Sequence, residues 1–87
     1  MSVHGEYSRA LETLIACVRT LDRPDRESRI EQLANARVDR NPDLSTAARN
    51  SLEALRDLAE TEATPTRIAE ASTHLLSHCR IILGTSE

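Results

Sequence analysis

The sequence contains no lysine: all 11 of its basic residues are arginine. That absence removes Schiff-base chemistry and any phosphate loop centred on a lysine. Phenylalanine and tryptophan are also missing and Tyr7 is the only aromatic residue, so no platform for stacking nucleobases can be assembled. The only glycines, Gly5 and Gly84, lie near the two ends and leave no glycine-rich turn to cradle a phosphate. The two cysteines, Cys17 and Cys79, form no CxxC motif and are too few for a secreted disulfide framework, so both are expected as buried free thiols. No run of Leu, Ile, Val and Ala exceeds three residues, against the ~20 that a membrane span requires. The opening "MSVHGEYSRA" has no basic segment followed by an apolar one, so no targeting signal is read there. These features predict a cytoplasmic protein without a membrane span.

What is present is a chain of 87 residues with a formal net charge of -3 and a 29% charged fraction. One small domain of this size buries roughly 60 to 65% of its unfolded surface. A core of Leu, Ile, Val and Ala without large aromatics provides little contact area per residue. Association into a homodimer is therefore expected, because a shared face adds burial that the monomer lacks.

Periodicity divides the chain into four amphipathic segments. From about residue 6 to 21, Tyr7, Leu11, Leu14, Ile15, Val18 and Leu21 recur on one helical face, with Ala10 and Cys17 at its margins. Pro24 ends this helix and either opens the next or precedes a capping box at Ser28 to Glu31. The second stripe, Ile30, Leu33, Ala34 and Val38, is short and marks the weakest of the four. "DRNPD" places Asn41 as the expected N-cap of a third helix and Pro42 as its first residue, with Ser45 an alternative cap. Leu44, Ala48, Leu52, Leu55, Leu58 and Ala59 form its apolar face. Thr64 followed by Pro65 predicts the start of a fourth helix that carries Ile68, Ala71, Ser72, Leu75, Leu76, Cys79, Ile82 and Leu83 and ends at Gly84. With no alternating β-branched run, the expected fold is all-α, a compact bundle of three or four antiparallel helices in a single domain, with residues 1–5 and 85–87 frayed.

The densest set of polar chemistry is "EASTHLLSHCR", residues 70–80. At ~100° per residue, His74 and His78 stack at i and i+4 with Glu70 one turn earlier, while Cys79 points to the core. The four groups do not converge, so the stretch reads as a boundary stripe in which Glu70 supports His74, and no metal or other cofactor is assigned. Nucleophilic catalysis needs a positioned base and oxyanion donors, which a regular helix with bonded amides does not offer. No catalytic residue is assigned.

Residues 19–40 hold six arginines but also five acids, a net of 6 minus 5, or +1, which argues against binding nucleic acid by phosphate neutralisation. The stretch from Leu33 to Leu52 is weakly similar to a helix-turn-helix that would carry Thr46, Arg49 and Asn50 as DNA contacts, although "DRNPD" is long for such a turn. The preferred reading is a non-enzymatic protein-binding module, a small acidic regulator, adaptor or inhibitor whose partner is another protein or a second copy. A divergent DNA-binding regulator is the alternative. Because the first and fourth helices have wide apolar stripes, Leu14, Val18, Leu75, Ile81 and Ile82 form the candidate interaction surface, with Ile81 the sharpest because it lies off the main stripe.

Overall fold

The structure is a computed structural model that describes residues 3–21, 24–60 and 65–84. Four helices follow the four amphipathic segments: α1 (Val3–Arg19), α2 (Pro24–Asn35), α3 (Leu44–Glu60) and α4 (Thr66–Leu83). Among the described residues there is no strand. Each helix packs on two neighbours, α1 on α2 and α4, and α3 on α2 and α4, which closes the bundle into a ring.

The α1 stripe is buried as its spacing requires, at Tyr7, Leu11, Leu14, Ile15 and Val18, with Ala10 added to the core. The helix begins at Val3, so residues 3–5 are helical rather than frayed; residues 85–87 lie outside the described residues. On α2 only Leu33 among the apolar residues is fully buried, and Ala36 just beyond the helix joins it. The short apolar stripe read on α2 corresponds to this sparse apolar packing. Pro24 opens the helix, a position where its missing N–H would be unbonded anyway, so Ser28 sits inside the helix rather than at its start.

The start of α3 differs from the sequence expectation. Asp43, not Asn41 or Ser45, is the cap: its carboxylate accepts the Ser45 N–H at 3.0 Å and the Thr46 hydroxyl at 3.1 Å, and its carbonyl accepts the Ala47 N–H at 3.1 Å. Asn41 works backward instead, its side-chain amide donating to the Asn35 carbonyl at the end of α2 and to the Arg37 carbonyl just beyond it, which also accepts the Arg40 and Asn41 N–H groups. The buried face of α3 is also rotated. Ala47, Ala48, Ser51, Ala54, Leu55 and Leu58 face the core, Leu52 is half-buried and Ala59 is exposed. The small residues admit Tyr7 of α1, whose hydroxyl shares a 2.6 Å hydrogen bond with the Ser51 hydroxyl.

Thr64 lies outside the described residues, and Pro65 is the residue before α4 rather than its first: its ψ of 153° is extended, while its carbonyl accepts the Ala69 N–H at 2.9 Å. At the other end Gly84 adopts the left-handed conformation, φ 72°, and its N–H bonds back to the Ile81 carbonyl at 3.2 Å. Side chains other than glycine meet a Cβ penalty there.

Candidate functional site

The α1/α4 seam collects most of the polar chemistry. The two helices run antiparallel. Glu6 near the start of α1 lies across from His78 near the end of α4, with Oε1 3.8 Å from Nδ1, and Cys17 and Arg67 meet at the opposite end. Between these ends the helices leave a groove of about 720 Å3. Its floor is Ala10 and Ala71, and Glu6, Arg9, Glu70 and Arg67 stand along its edges. A smaller cleft of about 280 Å3 continues past Cys17, lined by Leu21, Pro65 and Ile68 among others.

The stretch 70–80 of α4 is resolved into separate roles. Cys79 is fully buried, as its place on the stripe requires. His78, read from the sequence as part of a boundary stripe, is only 9% exposed, with Glu6 of α1 beside it. Its Nδ1 is buried without a hydrogen bond, and the Glu6 carboxylate is its nearest ionic partner. His74 is exposed and meets His78 edge to face, ring centroids 5.0 Å apart at 77°. Glu70 lines the same groove. Among the described residues no group of three or more His, Cys, Asp or Glu side chains is arranged to hold a metal ion.

The thiol and phenol of the core are chemically quiet. Burial pushes the Cys79 thiol up to about 11, the direction opposite to that of an activated nucleophile. Burial also pushes the Tyr7 hydroxyl up to about 12; the Ser51 hydrogen bond opposes this in part, and the neighbouring Cys79 adds to it. Both cysteines are free, with Cys17 half-buried.

Of the candidate interaction residues, Leu14, Val18 and Leu75 are wholly enclosed by the chain's own helices. They have no surface to share with a partner, because α1 and α4 turn their stripes inward against α2 and α3. Ile82 is half-buried against the core. Ile81 is 61% exposed and, with Val3 at 39%, is one of two large apolar side chains left open to solvent among the described residues. The two stand at the same end of the seam, each three residues beyond the Glu6 and His78 contact.

The DNA-contact candidates are arranged differently. Thr46 and Arg49 are exposed and Asn50 is half-buried on α3, but residues 36–43 separate α2 from α3, too long for the tight turn of a helix-turn-helix. Arg37 in that connection is engaged by Glu12 at 3.2 Å and Asp39 at 3.4 Å. Sequence reasoning missed Ser51 as the buried partner of Tyr7, although a lone tyrosine in an aliphatic core requires a partner for its hydroxyl. It also missed Arg26, which is 2% exposed and leaves Nε and one terminal nitrogen without a hydrogen-bond partner.

No helix among the described residues is long and apolar enough to cross a membrane. No protein-family model, curated protein or solved structure matches the chain.

Proposed function

We propose that the protein is a non-enzymatic binding module of the cytoplasm, a small acidic regulator, adaptor or inhibitor that engages another protein chain through its α1/α4 face. The observation that supports this reading is Ile81, an isoleucine 61% exposed one turn beyond His78, which lines the charged groove. A single exposed aliphatic residue is ordinary. With Val3 exposed at the same end of the seam, Ile81 gives that end two apolar side chains, and exposed apolar side chains grouped in one place are what a partner covers. The buried groups behind the seam support binding rather than turnover, since the Cys79 thiol is enclosed and Nδ1 of the buried His78 imidazole bonds no nucleophile.

The test is affinity capture from the native lysate with nuclease present, comparing the wild-type chain with Ile81→Glu. A stoichiometric protein chain, self or other, held by wild type and lost by the variant is the expected result. Recovery of no protein sinks the reading, and DNA that disappears with nuclease favours the α3 surface of Arg49 instead.

A further inference from the structure

The two ends of α2 are held by different chemistry. Arg26, Ile30 and Leu33 recur at i, i+4 and i+7, so Arg26 stands on the inward stripe where an aliphatic side chain would continue it. It is 2% exposed, its Nε and Nη1 have no hydrogen-bond partner, and among the described residues no salt bridge includes it. One turn further on, Nε of Arg29 is buried without a partner as well. The fully enclosed apolar side chains, Leu33 and Ala36, both belong to the other end. There Asn41 donates to the Asn35 and Arg37 carbonyls, and Arg37 reaches Glu12 of α1 at 3.2 Å.

A guanidinium held out of water without acceptors opposes its own burial. Water would satisfy both Arg26 nitrogens as soon as the first turns of α2 left the bundle. Little apolar burial resists that movement, since the only apolar residue between Arg26 and Leu33 is Ile30, and it is half-buried. The rest of the fold does not depend on it. The α1/α4 and α3/α4 seams do not include α2, so three helices stay joined through α4 while the second moves. A helix of 12 residues is also marginal by itself, and its own backbone does little to hold it in place.

We propose that α2 is a door in the bundle: its first turns swing out about a pivot at Leu33 and Ala36, and hydration of the Arg26 guanidinium favours the opening. The open form bares the sides of α1 and α3 that α2 covers, while Leu33, Ala36 and the Arg37 contact keep the far end seated. This opening is local and separate from unfolding of the whole chain.

Native-state amide hydrogen exchange of the full chain, read by NMR at increasing urea, tests the door. Ser28, Arg29 and Ile30 are the fifth to seventh residues of α2, as Glu70, Ala71 and Ser72 are of α4, so fraying set by distance from a helix end treats the two sets alike. Corrected for intrinsic chemical rates, the α2 set is expected to exchange about 100-fold faster than the α4 set, with little dependence on low urea, and Leu33 more slowly than Ile30. Arg26→Leu should slow the α2 set about tenfold, because leucine gains nothing from water. The wild-type comparison decides without the variant should Arg26→Leu fail to fold. An α2 set that matches the α4 set in rate and urea dependence overturns the proposal, since the helix then leaves only when the whole chain unfolds. Exchange in α2 that is indifferent to a folded Arg26→Leu overturns it as well, and so does a Leu33 amide as open as that of Ile30, which removes the pivot.

Discussion

Helices α2 and α4 occupy opposite corners of the ring, and they dispose of their polar and apolar residues in opposite ways. On α2 a guanidinium is turned inward: Arg26 is buried, two of its nitrogens are unsatisfied, and Leu33 is the one fully enclosed apolar side chain, with Ile30 half-buried. On α4 Ile68, Ala71, Leu75 and Cys79 are enclosed, the one buried polar side chain is His78 at the margin of that face, and an isoleucine is turned outward at Ile81. An unsatisfied charge inside weakens the fold, whereas an uncovered isoleucine outside does little harm until something covers it. The difference teaches that α4 adds more enclosed apolar side chains to the core than α2 does, and that α4 also carries the exposed isoleucine.

The largest test of that contrast is truncation of one enclosed leucine on each helix. Leu75→Ala is expected to lower stability by about 3 to 5 kcal/mol and Leu33→Ala by about 2 kcal/mol, read from urea unfolding, because the sparser surroundings of α2 collapse more readily into the space left. Equal losses would break the contrast. Next comes Arg26→Leu, for which a gain of about 1 to 3 kcal/mol is expected, since the buried guanidinium has no hydrogen bond at Nε to lose. A loss of stability instead would mean that the guanidinium is stabilised by something its hydrogen bonds do not show.

The smallest effect near neutrality concerns pH. Cys79 and Tyr7 ionise at about 11 and about 12 in the fold, against ordinary values of 9.0 and 10.0. Above pH 9 the unfolded chain has released protons that the native chain still holds, so stability falls as pH rises. Its contribution is complete below about pH 9 and is lost as pH passes through about 11 and 12. Thermal midpoints measured from pH 8 to 11 should be flat at first and then decline. The decline should be shallower in Cys79→Ala, whose thiol no longer takes part.

Much of the fold was legible because the aliphatic spacing leaves little choice. Tyr7, Leu11, Leu14 and Val18 on α1, and Ile68, Leu75 and Cys79 on α4, keep one side of a helix apolar and are enclosed. Caps were less legible, since "DRNPD" offers several capping side chains and only the path of the chain decides that Asp43 caps α3 while Asn41 closes α2. Ser51 is polar by type and buried by position, a choice made by the Tyr7 hydroxyl from another helix. The groove was hidden for a similar reason. Glu6 with Arg9 and Arg67 with Glu70 are visible as local pairs, but their relation exists only once α1 lies beside α4 in antiparallel register. His78 was read as part of a boundary stripe, and its own helix gives no sign that it is buried by the packing of α1 against α4.

The contact between Tyr7 and Ser51 has an optical consequence. Tyr7 is the chain's only aromatic side chain, and it sits at full burial where α1 meets α3. Near-ultraviolet absorption, circular dichroism and intrinsic fluorescence therefore arise from one tyrosine whose surroundings exist only while the bundle is closed. Unfolding can be followed without a label, and the spectrum reports the closure of the interior rather than the state of the surface.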